Sequence, residues 1–298
     1  MNGIGPPLLT PFDEAGEVDY GRLRELVEWV EGRGVDFLVP CGSNSEAELM
    51  TAAERTRVIE TVVESASVPV IAGTGSPGLR ETLEATQAAA DVGADAALVV
   101  TPFYYDHDQA TLEAYYRELA SDAPLPIYLY SVPAYTGVRL EPDTVGRLAS
   151  HPNIVGMKDS HASLPEFVRT KRRVAEATAD GGGSAGEFDL MIGSGSVLAA
   201  ALSAGGVGGV LALANLEPAR TAAVYETHEE DPQRARALNE ELVELNTAIT
   251  TDYGVPGLKW AMRERGAPAG YPRSPHREPD AEARGRLQAL LEELSADE

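Results

Sequence analysis

Two alternating patterns constrain this chain more than anything else in it. Short, continuously apolar runs recur eight times, at intervals of mostly 27 to 34 residues: Ile4–Leu9, Phe37–Pro40, Pro69–Ala72, Ala96–Val100, Pro126–Tyr130, Ile154–Met157, Leu190–Ile192 and Val207–Leu213. Amphipathic stretches lie between them. Leu23, Leu26, Val27 and Val30 fall on one helical face, and Leu112, Tyr115, Tyr116 and Leu119 repeat that spacing. A strand that is apolar at every position needs cover on both faces, which a parallel sheet beneath helices provides. Eight such units within about 220 residues predict an α/β fold, a (β/α)8 TIM barrel. A doubly wound open sheet is the alternative, but no Gly-x-Gly-x-x-Gly follows the first run.

Local signals sharpen the boundaries. Thr51-Ala-Ala-Glu54 and Ser163-Leu-Pro-Glu166 read as capping boxes, Pro218 as a first-turn proline, and Gly93 as a helix stop. After Asn215 the strand signals end. Leu238, Leu242, Leu245 and Ile249 predict one long helix, and Leu258–Arg265 and Ala281–Leu294 predict two more. The expected organisation is a barrel over residues 1–220 with a C-terminal helical extension, 221–298, packed on it. The Gly-rich stretch Ala179–Gly186 lacks the Gly-Lys-Ser/Thr of a phosphate loop and reads as a flexible loop.

Composition excludes several function classes. Forty-seven acids against 24 bases give a net charge of −23, which repels phosphate backbones and argues against a nucleic-acid partner. Lysine occurs only at 158, 171 and 259, and the remaining 21 bases are arginine. The acidic shell favours solubility, and adaptation to a salt-rich cytoplasm, a halophilic character, is its sharper reading. No run approaches the roughly 18 apolar residues that span a bilayer, and the first residues carry no basic leader, so a cytoplasmic location is expected. One cysteine, Cys41, rules out an intrachain disulfide framework, and its surroundings read as those of a small buried thiol. The five histidines, at 107, 151, 161, 228 and 276, show no metal-ligand spacing, so no metal is expected.

In a barrel of this kind the active site lies at the C-terminal strand ends. Those ends read Cys41-Gly-Ser-Asn-Ser-Glu46, Thr101-Pro-Phe-Tyr-Tyr105, Tyr130-Ser-Val-Pro133, Lys158-Asp-Ser160 and Gly193-Ser-Gly195. Lys158 closes a buried run in a chain that nearly avoids lysine. Its stem could line the barrel mouth while the ammonium reaches water or Asp159. Alternatively, desolvation favours the neutral amine, which attacks a carbonyl to form a Schiff base. Position alone leaves both open. Asp159, one position along the strand, is expected to face the opposite way. Tyr130 is either a proton carrier or an aromatic filling the barrel top.

Three motifs then occur in order on these strand ends: Gly42-Ser-Asn-Ser-Glu46, Tyr130-Ser-Val-Pro-Ala-Tyr-Thr-Gly137 and Gly156-Met-Lys-Asp-Ser160. Together they resemble the dihydrodipicolinate synthase / N-acetylneuraminate lyase superfamily, over nearly the whole chain. Tyr128-Leu-Tyr-Ser-Val-Pro133 and Gly270-Tyr-Pro-Arg-Ser-Pro275 look most like archaeal 2-keto-3-deoxygluconate aldolases. The resemblance implies that Lys158 forms an imine with a keto acid and that Tyr130 relays protons, its hydroxyl held by Ser43. It gives Ser43 and Asn44 the substrate carboxylate, with Ser160 and Gly193 as further substrate contacts. It implies that Tyr104 enters a neighbouring subunit's site, within a homotetramer built as a dimer of dimers. No cofactor is implied beyond the lysine imine.

The departures carry information too. Asn44 and Ser45 replace the family's second Thr and its Gly, and Ser45 loses that glycine's freedom. Tyr135 replaces the arginine with which dihydrodipicolinate synthases hold a second carboxylate. Tyr105-Asp-His-Asp108 would repel a phosphate where related aldolases carry an arginine. Gly195 replaces an aspartate. The leading expectation is a metal-independent class I aldolase that reversibly cleaves a 2-keto-3-deoxy sugar acid to pyruvate and an aldehyde. The alternatives are a dihydrodipicolinate synthase or 2-keto-3-deoxy-acid dehydratase using the same imine, and a non-catalytic sugar-acid- or pyruvate-binding homologue.

Overall fold

The computed structural model describes residues 1–161, 163–179 and 188–296. Seven parallel strands form one sheet among these residues: β1 Gly3–Gly5, β2 Ile71–Gly73, β3 Ala96–Val100, β4 Ile127–Ser131, β5 Ile154–Asp159, β6 Asp189–Ile192 and β7 Gly208–Val210. Their order is β1-β7-β6-β5-β4-β3-β2. Alternation along each strand separates two apolar layers. Ile71, Leu98, Tyr128, Tyr130, Met191 and Val210 pack together inside the curled sheet. Their neighbours Ala72, Ala97, Val99, Leu129, Met157, Leu190 and Ile192 pack outward against the helices. Burial on both faces is why the sequence shows continuous rather than alternating apolar runs.

The predicted second strand, Phe37–Pro40, is not regular. Its backbone makes one parallel bridge, Leu38 to Val70. It still bonds on both sides. Asp36 N–H donates to Ile4 O at 2.8 Å and Leu8 N–H to Val39 O at 2.9 Å, while Leu38 N–H donates to Pro69 O at 2.9 Å and Gly73 N–H to Pro40 O at 2.8 Å. Pro6, Pro7, Pro40 and Pro69 each lack an N–H, so no continuous ladder can form here. The result is a TIM-barrel-like fold carried by seven strands and this irregular segment. Pro6 and Pro7 also end β1 earlier than the apolar run Ile4–Leu9 suggests.

Helices follow the strands. Thr51 caps the helix Ala52–Ser65 reciprocally with Glu54, whose N–H donates to Thr51 Oγ1 at 3.2 Å while Thr51 N–H donates to Glu54 Oε2 at 2.8 Å. Gly93, at φ +92°, turns the chain out of the helix Leu79–Asp91, and Pro218 opens the helix Pro218–His228. Glu166 N–H reaches Ser163 Oγ at 3.4 Å. The long helix expected through Leu238–Ile249 is broken into Pro232–Glu241, Val243–Thr247 and a π-helical turn Ala248–Asp252. The break accompanies side-chain bonds to the loop after β6. Asn239 Nδ2 donates to Gly195 O at 2.6 Å, and Asn246 Nδ2 donates to Ser196 Oγ at 2.8 Å. Leu258 of the helix Gly254–Glu264 and Leu287 of the helix Ala281–Ala296 join the same apolar core as Leu9 and Phe12. The Gly-rich stretch lies, from Asp180 on, outside the described residues.

Candidate active site

Neighbouring strands bring the lysine and the tyrosine together. Tyr130 of β4 is in register with Lys158 of β5. Met157 packs outward, so alternation turns Lys158 inward. The Lys158 ammonium lies 4.3 Å from the centre of the Tyr130 ring, and both residues are buried. No carboxylate of the described residues lies within ion-pair distance of Lys158. Asp159 is engaged on the other face, where it accepts the His161 backbone N–H at 2.9 Å. Burial holds its carboxyl above the usual range, with His161 opposing. The His161 ring in turn meets Ser131 Oγ at 2.7 Å. Serine, histidine and aspartate thus stand in line, but Ser131 is fully buried and accepts the Leu140 N–H at 3.0 Å. They form a structural tie behind the strand ends rather than a nucleophile.

Ser43 Oγ lies 3.2 Å from the Tyr130 hydroxyl. It belongs to the one-turn 3-10 helix Ser43–Ser45, bracketed by two left-handed residues, Cys41 at φ 58° and Glu46 at φ 56°. Non-glycine residues in that region cost roughly 1–2 kcal/mol each and persist where their surroundings fix them. Among the described residues, the backbone N–H groups of Ser43 and Asn44 donate to no acceptor. They open a short turn beside a hydroxyl, an arrangement that suits a carboxylate. Ser45 needs no positive φ. Its hydroxyl donates to Leu8 O and accepts the Gly42 N–H at 3.1 Å, so the freedom that Ser45 lacks relative to the family's glycine is not needed in this turn. Cys41 is buried, its thiol is pushed up to about 12 by burial, and Sγ faces Arg55 O at 3.6 Å.

A cavity of about 510 Å³ opens over this turn, with Ser43, Tyr130, Tyr135, Glu46, Tyr253 and His276 in its wall. Neither lysine nor arginine lines it among the described residues. Lys158, 4.3 Å from the Tyr130 ring centre, does not form part of that wall. Asn44, Ser160 and Gly193 also lie outside it. Ser160 and Gly193 meet at the ends of β5 and β6, where a Cβ on Gly193 would come within 1.9 Å of Ser160 Oγ. Tyr104 stands in solvent, 85% exposed at φ +80°, edge-on to Tyr105. Among the described residues no group of three or more His, Cys, Asp or Glu is placed to hold a metal ion. No described helix is long and apolar enough to cross a membrane.

Sequence reasoning missed the cavity's far wall and what stands behind it. Tyr253 follows the π-helical turn, and His276 directly follows the segment Gly270–Pro275. Behind that wall lies Lys259, fully buried, whose ammonium forms an ion pair with the buried carboxylate of the wall residue Glu46. Burial pushes the Lys259 ammonium down to about 8, with Glu46 opposing. The available signal was the rarity of lysine, since two of only three lysines are buried in this region.

The chain matches the dihydrodipicolinate synthetase family over residues 1–294. It is 36% identical over 297 residues to an uncharacterized DapA-like lyase of Halobacterium salinarum, covering 99% of this chain and 94% of that one. It is 35% identical over 296 residues to the 4-hydroxy-tetrahydrodipicolinate synthase of Methanothrix thermoacetophila, covering 99% and 97%. Among solved structures, YagE, a prophage protein of the dihydrodipicolinic acid synthase family from E. coli K12 in complex with pyruvate, superposes with a TM-score of 0.92 at 29% identity, covering 99% of each chain. A match this long, at this identity and with the fold shared throughout, leaves one assignment: the chain belongs to the dihydrodipicolinate synthetase family of lyases.

Proposed function

We propose that the protein is a class I aldolase that reversibly cleaves a 2-keto-3-deoxy sugar acid into pyruvate and an uncharged aldehyde. The observation that carries this is the isolated, buried Lys158 ammonium against Tyr130, whose hydroxyl meets Ser43 beside two unpaired N–H groups. As the neutral amine, Lys158 adds to the keto carbon, and the carbinolamine hydroxyl leaves as water with the proton of Tyr130, giving an iminium ion and a Tyr130 phenolate that is free to accept a proton. The iminium draws the electron pair of the breaking C3–C4 bond into an enamine while the C4 hydroxyl proton passes to Tyr130, and the aldehyde departs. Protonation of the enamine and hydrolysis then release pyruvate and restore the amine. Ser43 and Asn44 hold the carboxylate, and Ser160 and Gly193 shape the floor beside the imine. The lysine supplies the electron sink, so the scheme calls on no cofactor or metal.

The cavity wall bears on the second substrate. A wall without lysine or arginine, its histidine His276 turned onto Glu46, offers no free counter-charge to a phosphate or a second carboxylate. Tyr135 stands in it where the related synthases place an arginine. This favours the neutral aldehyde over aspartate semialdehyde, the substrate of the synthase reading that several relatives' names suggest. Tyr104, exposed and held in a strained backbone conformation, completes a neighbouring subunit's site in a homotetramer.

Borohydride added with pyruvate should fix an adduct on the peptide containing Lys158 and abolish turnover. Lys158→Arg should fold and be inactive. An adduct on Lys171 or Lys259, or turnover without any adduct, would overturn the assignment. Ligand binding without trapping would favour a non-catalytic homologue. A panel of aldehydes assayed with pyruvate, aspartate semialdehyde included, separates aldolase from synthase. Tyr104→Ala should lower turnover without lowering the melting temperature, and unchanged turnover would remove the shared-site element.

A further inference from the structure

Three groups converge on the Glu46 carboxylate from parts of the chain far away in sequence. The Lys259 ammonium pairs with its carboxylate. The Arg273 backbone N–H donates to Oε1 at 2.9 Å, and His276 Nδ1 lies 2.9 Å from the same oxygen. On its own side, the Glu46 N–H closes the Ser43–Ser45 turn by donating to Ser43 O at 3.2 Å. Lys259 is itself tied down: Nζ donates to Thr10 O at 2.7 Å and Tyr271 O at 2.8 Å, and it lies 4.4 Å from the centre of the Phe12 ring. Among the described residues, Lys259, Glu46 and His276 make no direct hydrogen bond or ion pair to Lys158 or Tyr130; the link runs through Ser43, whose hydroxyl lies 3.2 Å from that of Tyr130.

The geometry points to Lys259 as the positioning residue of the carboxylate-binding turn: through Glu46, it fixes Ser43 and Asn44 from behind without meeting the substrate. This rests on the aldolase reading, which gives Ser43 and Asn44 the keto-acid carboxylate. Glu46 is left-handed and directly follows the turn, so any rearrangement of its carboxylate is transmitted to the hydroxyl and N–H groups three residues away. The ammonium has three protons and three acceptors, which holds Glu46 in one place.

The arrangement is pH-sensitive, in a direction that separates function from stability. Glu46, Arg263 and Glu278 act on Lys259, and Arg273 and His276 face Glu46. Burial brings the Lys259 ammonium down to about 8, so above that pH the pair dissolves in the folded protein. Capture of the keto acid should weaken there. Folding stability moves the other way. Between about 8 and 10.5 the unfolded chain holds the proton that the folded chain has released, so this group's contribution to stability rises with pH.

The test is borohydride trapping of pyruvate, titrated for half-saturation between pH 6.5 and 9.5. In the wild-type protein, half-saturation should rise above pH 8 with no fall in melting temperature. In Lys259→Met it should be raised roughly tenfold already at pH 7, with maximal adduct yield retained and the step near pH 8 gone. Lys259→Met leaves a buried carboxylate unpaired, so Lys259→Met/Glu46→Gln, which removes both charges, guards against misfolding and should show the same weakened, flat profile. Wild-type half-saturation in whichever variant folds, with the step near pH 8 kept, would overturn the inference. If neither folds, the wild-type profile decides, and a flat one overturns it. A wild-type protein that traps no pyruvate at all would instead refute the aldolase reading.

Discussion

Gly73→Ala is a direct perturbation of the Ser43–Ser45 turn, to which the proposed function gives the substrate carboxylate, that touches none of its side chains. Gly73 ends β2 and lines the cavity, and its N–H donates to Pro40 O at 2.8 Å. A Cβ at this position would lie 2.1 Å from the Cys41 carbonyl oxygen, 2.5 Å from its carbon and 3.0 Å from Gly42 N. These are backbone atoms and cannot swing aside as a side chain would. The Cys41 peptide would have to retreat by about 1 Å, carrying Gly42 and Ser43 with it, and Cys41 is already left-handed at φ 58°. Overpacking of this kind costs about 1–3 kcal/mol. Spread over the unfolding entropy of a chain this long, that lowers the melting temperature by about 2–5 °C. A 1 Å displacement of Ser43 relative to Tyr130 should lower turnover about 100-fold. Lys158 stands three strands away in the sheet order and keeps its place, so adduct formation at saturating pyruvate should survive. Calorimetry and a pyruvate titration of the trapped adduct read the two effects separately. Gly285→Ala serves as the control, because nothing lies within 4 Å of its added Cβ in the helix Ala281–Ala296. Wild-type melting and wild-type half-saturation in Gly73→Ala would refute the steric reasoning.

Two further outcomes concern the whole fold. The Arg273 guanidinium, 2.6 Å from Glu54 Oε1, holds the Glu54 carboxyl down at about 2 against an ordinary value of 4.5, with Thr51 assisting. Its contribution to stability is therefore complete above about pH 4.5 and lost as pH falls toward 2, and Glu54→Gln should flatten denaturant-measured stability across that window; an unchanged slope would sink the linkage. The net charge of −23 should make the protein more stable in molar potassium chloride, where repulsion is screened within about 3 Å, than at low salt, and equal melting temperatures would refute a halophilic reading of the surface.

The layered βα pattern was legible because it is local: each apolar run and each helical face is written in contiguous residues. Inward placement of Lys158 followed from the same period, with Met157 outward before it and Asp159 outward after it. Phe37–Pro40 failed as a strand because apolar content says nothing about missing donors, and the prolines that interrupt its ladder lie mostly in neighbouring segments. The long helix through Leu242 failed for a different reason. Its apolar period is real, but Asn239 and Asn246 are drawn onto the loop after β6, and the backbone adjusts to them. Tyr253, His276 and the Glu46–Lys259 pair were invisible to any window of sequence, since more than 200 residues separate Glu46 from each of its partners.

Composition nevertheless held a clue to that hidden wall. The chain carries 21 arginines and only three lysines, so whatever favours arginine on its acidic surface acts almost everywhere. Lysine then persists where a guanidinium cannot substitute. At Lys158 the proposed imine chemistry supplies a reason, because a primary amine can condense with a ketone and a delocalised guanidinium cannot. At Lys259 the reason is shape. Three protons on one compact nitrogen meet Thr10 O, Tyr271 O and the Glu46 carboxylate within a fully buried site, and a planar fork has neither the size nor the directions to do so. Lys171, half-buried on the helix Leu164–Ala179, makes no hydrogen bond or ion pair with the described residues, and nothing in the structure explains why it is lysine. Under the proposed aldolase reading, two of the three exceptions to the arginine rule fall at the two ends of one keto acid, one lysine at its carbonyl and one behind the turn assigned to its carboxylate.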